Sequence, residues 1–157
     1  YTTLFRSVMM TLSQRPGVNS IFVVDDTVAK DKYMKDLYKS AGSRTGKKTI
    51  TMTEQKCEYY WDEFDFKNYN CILIAKTVDV FYRLAKHGIK FDKLNIGGTS
   101  KQTENDIQVT KAVYLNKKDL LKLKDLNENY GVSEIYFQTT PAAQSTDLSS
   151  ILKKYDI

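Results

Sequence analysis

Two cysteines, two prolines and one histidine among 157 residues leave little material for several kinds of chemistry. Cys57 and Cys71 stand apart, with no CxxC and no Cys/His cluster at metal-ligand spacing. They are expected to be reduced structural thiols, and no metal site is expected. Long apolar runs are missing too: none approaches the ~20 residues that a membrane-spanning helix needs. Tyr1 to Gln14 lacks the basic start, apolar middle and small-residue cleavage site of a signal peptide, so a cytoplasmic location is the default. There is no internal repeat, linker or low-complexity tract, and the length suits one domain with a substantial core.

What is present is a soluble-type composition with 24 basic and 19 acidic residues, a net charge of +5. That balance favours acidic partners through long-range attraction but identifies none. A basic stripe interleaved with aromatics is absent, as is any recognisable binding motif, so no nucleic acid is expected as a partner.

Short β-type runs alternate with helical patterns, which is the mark of βα units on a largely parallel sheet. IFVVDD is the first clear strand. Asp26 or Thr27 is expected to cap a helix whose buried face carries Ala29, Tyr33, Met34, Leu37 and Ala41. KTITMT reads as a strand and EQKCEYYWDEF as a helix, and NCILIAK, the most continuous apolar run, is expected to be a strand buried on both faces. Thr77 caps TVDVFYRLAKHG, with Val78, Phe81, Leu84 and Ala85 on one stripe and Gly88 placed for a left-handed turn. KLNIGG reads as a strand entering a glycine loop, and TKAVYL as another short strand. Asn116 caps a helix bearing Leu120, Leu123 and Leu126 that stops near Gly131. SEIYFQ is the last strand, and TDLSSILKKY closes the chain as an amphipathic helix with Leu148, Ile151, Leu152 and Tyr155 together.

AGSRTGKK, Ala41 to Lys48, has the outline of a phosphate loop but not its context. It follows a helix and precedes a strand, whereas a phosphate loop follows a strand and opens a helix, and Lys48 stands where magnesium binding needs Ser or Thr. It is read as a solvated turn. His87 falls in the last turn of a predicted helix, where a cation is mildly favoured by the helix dipole, and is read as a surface residue rather than a catalytic one. Open α/β sheets place ligands at the carboxyl ends of their strands. The loops expected there carry Asp25 and Asp26, Lys76 and Thr77, the stretch NIGGTS with Asn95, Gly97 and Gly98, and Gln138 to Pro141. Gly97 and Gly98 let backbone amides approach an anion, and Lys76 supplies charge at a helix start. The plainer readings stay open beside these: Asp25 and Asp26 as helix caps, the Gly-Gly pair as a turn.

Taken together, IFVVDDTVAKD, ILIAKTVDVFYRLAKHGIKFDKLNIGG, IQVTKAVYL with its following helix, and GVSEIYFQTTP make a chain that resembles the IIB subunits of the mannose/fructose/sorbose class of the sugar phosphotransferase system. The most specific pieces are VVDDxVAxD at Val23 to Asp31 and LNIGG at Leu94 to Gly98. The resemblance implies an α/β fold of three layers, a mostly parallel sheet flanked by helices. It also implies a cytoplasmic protein in peripheral association with a membrane permease. Such a protein takes a phosphoryl group from a phosphohistidine on the IIA subunit or domain, holds it on its own histidine, and passes it to a sugar entering through IIC and IID. No cofactor, neither nucleotide nor metal, is implied. A homodimer is left open. Asp25, Asp26, Lys76, Thr77, Asn95, Gly97 and Gly98 are the implied wall of the phosphoryl site.

The family's histidine lies in a loop reading roughly R-x-D-x-R-L-I-H-G-Q-V after its first strand. Counted back without gaps from Ile21, the motif's V falls on Val8 and its H on Phe5. Phenylalanine has no lone pair to attack phosphorus, so the chain as written is expected to be inactive as a phosphoryl carrier. Residues 1–7, YTTLFRS, can be back-translated into the end of a common sequencing-adapter oligonucleotide. They are expected to be a non-native segment ahead of a single IIB domain, 8–157, that lacks the family's first strand. The competing expectation is a catalytically silent IIB-like regulatory or binding subunit.

Overall fold

A computed structural model of the chain describes residues 19–44, 46–64, 66, 71–75, 77–91, 93–97, 103–111, 113–138 and 144–157. The expectations for residues 1–7, for Phe5 and for a missing first strand lie outside the described residues, as do Lys76 and Gly98. The contacts of the chain divide it into two compact units, Tyr1–Val80 and Phe81–Ile157. Each unit is an α/β arrangement with parallel strand pairing, as expected.

In the first unit, the uninterrupted apolar run after Asn19 becomes β1 (Ser20–Val24), and every residue of it is buried. It is the middle strand of a three-stranded sheet, paired in parallel with β2 (Lys48–Met52) on one side and β3 (Cys71–Ile74) on the other. A strand flanked on both sides and covered on both faces has no solvated surface, which is why its sequence does not alternate. The expectation of full burial for the strand at Cys71 is corrected. All four residues of β3 are only half-buried, because β3 lies at an edge of this sheet among the described residues.

The helix expected after β1 is two helices, α1 (Asp26–Ala29) and α2 (Lys32–Ser43). The cap of α1 is neither Asp26 nor Thr27 but Asp25, whose Oδ1 accepts from the backbone N–H groups of Thr27 and Val28 at 2.9 and 3.0 Å. Lys30 and Asp31 then donate back to Thr27 and Val28, tightening the turn and ending α1. Asp31 starts a new helix, its Oδ1 accepting from Met34 N–H at 3.2 Å. The restart rotates the apolar face. Met34, Tyr38 and Ala41 turn inward onto Ile21, Val23 and Val28, while Tyr33, expected in the core, is 75% exposed.

The reading of AGSRTGKK as a solvated turn is corrected for its first half: Ala41–Ser43 are the last turn of α2, with Ala41 and Gly42 buried. The chain then turns at exposed Gly46, whose φ of +73° is left-handed, and enters β2 at Lys48. α3 (Glu54–Phe64) has the bounds expected of EQKCEYYWDEF. It faces inward through buried Cys57 and half-buried Trp61, one turn apart. The Trp61 ring meets Phe66 edge-on at 5.2 Å, and Phe66 meets Phe22 of β1 at 5.5 Å.

α4 (Val78–His87) begins in the first unit and ends in the second, with Val78, Leu84 and Ala85 buried as the stripe requires. Its end is a Schellman motif: Gly88 N–H donates to Ala85 O at 3.0 Å and Ile89 N–H to Leu84 O at 3.2 Å, with Gly88 at φ +114°. Leu84 and Ile89 are both buried, which supplies the apolar contact of that motif.

In the second unit, β4 (Lys93–Ile96) pairs in parallel with β7 (Glu134–Phe137), and β7 pairs antiparallel with the short β8 (Thr146–Asp147). The strand expected at TKAVYL is β6 (Val113–Leu115), and it forms a bulged hairpin with an unexpected β5 (Ile107–Thr110). α5 (Lys117–Asn129) is capped by Asn116, whose Oδ1 accepts from Asp119 N–H at 2.8 Å, and buries Leu120, Leu123 and Leu126 completely. α6 (Leu148–Lys154) buries Leu148 and Ile151, and Tyr155 beyond it donates its hydroxyl to Gln108 O of the hairpin at 3.1 Å. Among the described residues no helix is long and apolar enough to cross a membrane, and no group of acids, histidines and cysteines is placed to hold a metal.

Candidate functional site

The carboxyl ends of β1, β2 and β3 point to one edge of the first sheet because the three strands are parallel. Asp25, Asp26, Thr53 and Thr77 all follow those ends. Asp25 is half-buried, and its N–H extends the sheet by one bond to Met52 O at 3.0 Å while its carboxylate caps α1. Asp26 is exposed, and its Oδ1 accepts from Glu54 N–H at 2.8 Å, so the loop after β1 holds the first turn of α3. Thr53 completes that turn by accepting Lys56 N–H on its Oγ1 at 3.1 Å. Both acids therefore serve helix N-termini, where a carboxylate meets orphan amides and the positive end of the dipole. Thr77 is exposed immediately before α4.

In the second unit the parallel strands β4 and β7 end at one edge of their own sheet. Asn95 is exposed on β4, and its Oδ1 accepts from Gln138 N–H at 3.1 Å, a donor that also reaches Ile96 O at 3.2 Å. One amide thus locks the side chain of one strand to the exit of the next. Gly97 follows β4 and is half-buried. Its φ is not left-handed, and a Cβ there would meet nothing within 4 Å. Neither backbone conformation nor internal packing demands glycine at this place, so what its bareness leaves is open space at the strand's carboxyl end. Of the expected wall, then, the structure gathers Asp25, Asp26 and Thr77 in one unit and Asn95 with Gly97 in the other.

His87 is exposed at the far end of α4. At 1.5 Å per residue, a ten-residue helix carries it about 15 Å along the axis from the strand-end loop at Thr77.

Sequence reading missed a polar cluster on α4 and α5. Tyr82 donates its hydroxyl to Asp125 at 2.5 Å, Asn129 donates to the other oxygen of Asp125 at 2.5 Å, and the Tyr82 ring lies against Tyr130 with centroids 6.1 Å apart. Lys86 and Lys122 approach the same ring at 4.7 and 6.0 Å. The hydrogen bond to Asp125 pushes the Tyr82 hydroxyl up to about 12, and the same bond from the tyrosine holds the Asp125 carboxyl below its usual range. The i, i+4 spacings of Tyr82 with Lys86 and of Asp125 with Asn129 were visible in the sequence; that the two helices meet was not.

The chain is similar to several solved structures. One is manxB from Thermoanaerobacter tengcongensis, 26% identical with a TM-score of 0.85, over 95% of this chain and 88% of that one. The N-acetylgalactosamine-specific PTS IIB component 1 from Escherichia coli is 24% identical with a TM-score of 0.81, covering 92% of each chain. The IIBSor domain of the sorbose permease from Klebsiella pneumoniae is 19% identical with a TM-score of 0.79, over 94% of this chain and 88% of that one. The last two likenesses show the shared fold. No curated protein sequence matches. The family model of the PTS system sorbose subfamily IIB component matches residues 4–157, taking in the strand-end loops of both units, and on that match the chain belongs to this family.

Proposed function

We propose that this protein is the sugar-specific IIB component of a phosphotransferase system. It would stand between a phosphohistidine on IIA and a sugar entering through IIC and IID, at the cytoplasmic face of that permease. The observation that supports this most is the family match across residues 4–157. The reaction class is protein-phosphohistidine–sugar phosphotransfer, in which an imidazole nitrogen attacks phosphorus in line while amides and cations surround the equatorial oxygens. The proposed site residues are Asp25, Asp26, Lys76 and Thr77 in the first unit and Asn95, Gly97 and Gly98 in the second. Among them Asp25 and Asp26 act through the loops they fix, Asn95 aligns the exits of β4 and β7, and the open space at Gly97 admits the phosphoryl group or the partner's backbone. Lys76 supplies charge. No metal or nucleotide takes part in this reading.

Phe5 stands where the family's histidine falls, and His87 lies at the wrong end of α4 to replace it. With no acceptor at either position the chain is inactive as a carrier, and the test is labelling by phosphorylated IIA. The chain and its His87→Ala variant should both stay unlabelled. A version carrying the family's first strand and histidine loop should take up phosphate. Equal labelling of the given and restored chains would sink the assignment. The absence of a nucleophile at residue 5 favours a second reading, a catalytically silent IIB-like subunit that only docks. A restored chain that folds, binds IIA and stays unlabelled would select it.

A further inference from the structure

Residues 32–48 hold six lysines and arginines against one acid, Asp36. The whole chain has 24 basic and 19 acidic residues, which leaves 18 of each sign everywhere else, so this one segment carries the protein's entire excess of +5. The fold gathers these charges. Lys32, Lys35 and Lys39 recur at i, i+3 and i+7 on α2 and form one stripe, while Met34, Tyr38 and Ala41 turn the other side of the helix onto Ile21 and Val23. Beyond α2 the chain folds back, Gly46 N–H donating to Ser43 O at 3.1 Å, which sets Arg44, Lys47 and Lys48 about the end of the helix. Lys47 is half-buried and the other five cations are exposed. Among the described residues, Lys32, Lys35, Lys39, Arg44 and Lys47 have no acid at ion-pair distance. The dipole of α2 favours a cation at its carboxyl end, but not a stripe that opens with Lys32 in its first turn, where positive charge is disfavoured.

We infer that the Lys32–Lys48 surface rests against the anionic lipid headgroups of the membrane that houses the permease. Five of its six cations are lysines, compact hydrated point charges, where bidentate docking on a protein carboxylate would favour the arginine fork. Lysine is depleted from protein interfaces, whose centres are apolar and aromatic. No such centre lies in the stripe: Tyr33, the exposed ring of α2, stands about 100° or more round the helix from each of its three lysines. A charged plane needs no apolar centre, and each lysine brought near an anionic leaflet strengthens attachment about fivefold. The stripe faces outward from the layer that covers β1, not over the carboxyl edge of the sheet where Asp25, Asp26 and Thr77 stand, so attachment leaves that edge open. The inference rests on the reading that the protein works beside a membrane permease, but its test needs neither IIA nor phosphohistidine.

The test is sedimentation of the full chain with sucrose-loaded vesicles of phosphatidylcholine, with and without phosphatidylglycerol. The chain should bind the anionic vesicles alone and come off them as salt is raised. The double variant Lys35→Gln, Lys39→Gln should bind about thirtyfold more weakly, and Lys32→Gln with Arg44→Gln should lose a like amount. Lys117→Gln with Lys118→Gln removes the same charge from exposed positions on α5 and should lose far less. Far-UV circular dichroism on each double variant separates lost attachment from lost folding. Equal losses in the α2 and α5 variants overturn the inference, since attraction then follows net charge alone. Unchanged binding in a folded α2 variant, or no binding by the parent chain, overturns it too. So does tighter binding, lost in the same α2 variants, to a glutamate-serine peptide or a single-stranded oligonucleotide, because the occupant is then an acidic protein or a nucleic acid. A restored chain that IIA fails to label but that still binds vesicles would count against the proposed function alone.

Discussion

The carboxylate of Asp26 accepts a hydrogen bond from the backbone N–H of Glu54 at 2.8 Å, although 28 residues separate them in the chain. A residue inside one helix thereby caps the start of another, and two loops at the carboxyl edge of a parallel sheet are fastened together. Each of the first turns involved has free amides that must find an acceptor.

From that bond, Asp26→Ala should destabilise the protein by about 0.5–2 kcal/mol, the range for losing an N-terminal cap. Asp26→Asn keeps an oxygen acceptor and should lose a smaller part. Urea melts at neutral pH measure both, and equal losses in the two variants would show that charge, not the bond, is what matters there.

Burial gives the two thiols a shared prediction. It pushes Cys57 up to about 12, with further contributions from Cys71, Glu58 and Glu54, and pushes Cys71 up to about 11. At pH 8 this leaves on the order of one thiolate per thousand thiols or fewer. A disulfide-exchange reagent at pH 8 should therefore modify neither cysteine in the native protein on the timescale that modifies both in denaturant. The raised values also mean that these thiols contribute stability below the unfolded-state pKa of a thiol. That contribution is lost as pH climbs through the alkaline range toward 11 and 12. Rapid native labelling of Cys57 would contradict its full burial.

How much of this was legible beforehand depended on whether a feature was local. The bounds of α3, the Asn116 cap and the three leucines of α5, and the Gly88 stop of α4 follow from spacing and end chemistry alone, and all are found. Tyr33 was placed in the core, and Tyr38 passed over, because the helix was read as continuous through Asp31. One carboxylate restarting the helix moved the whole face. The burial of β3 was overstated because an apolar run does not say whether its strand lies in the middle of a sheet or at an edge. β5 went unseen because Ile107–Thr110 is short and the turn at Lys111 offers no Gly or Asn signal. At the candidate site, the order of the loops was readable from the alternation of strands and helices. The bonds that shape them, Asp26 to Glu54 and Gln138 to Asn95, join residues far apart in sequence and were not.

The Tyr82–Asp125 bond should give stability a pH dependence at both ends of the scale. Asp125 has a lowered carboxyl pKa in the folded protein, so its contribution is present above the ordinary carboxylate range and lost as pH falls through the folded value. Tyr82 is raised to about 12, so its contribution is present below the usual phenol value near 10 and lost as pH rises toward 12. Tyr82→Phe should therefore differ most from wild type between these limits, by less than about 1 kcal/mol because the pair lies near solvent. The check is the difference in urea midpoint between the two proteins across pH. A difference that persists unchanged at pH 2 would assign the effect to packing against Tyr130 instead.

Leu123 has no exposed surface in the second unit and sits one turn from two other leucines that are equally buried. Leu123→Ala should cost about 2–5 kcal/mol through lost transfer energy and the cavity left behind. The loss should appear as a lower urea midpoint with an unchanged slope; a changed slope would mean that the second unit melts separately from the first.

Phe66 poses the sharpest conflict between backbone and side chain. Its φ of +55° lies in the left-handed region that bulky residues rarely adopt, yet its ring bridges Trp61 of α3 and Phe22 of the central strand. Two edge-to-face contacts, each worth about 0.5–1.5 kcal/mol beyond burial, hold the residue in a conformation that costs about 1 kcal/mol. Phe66→Gly removes both the strain and the rings and should be net destabilising. Phe66→Ala removes the rings while keeping a Cβ in the unfavourable region, so it should be the less stable of the two by about 1 kcal/mol. The ordering wild type, Gly, Ala in urea midpoint is the signature of rings overriding strain. If Phe66→Gly were instead more stable than wild type, the aromatic contacts could not be what holds this turn, and the attachment of α3 to the end of β1 would have to be sought in bonds such as Asp26 to Glu54.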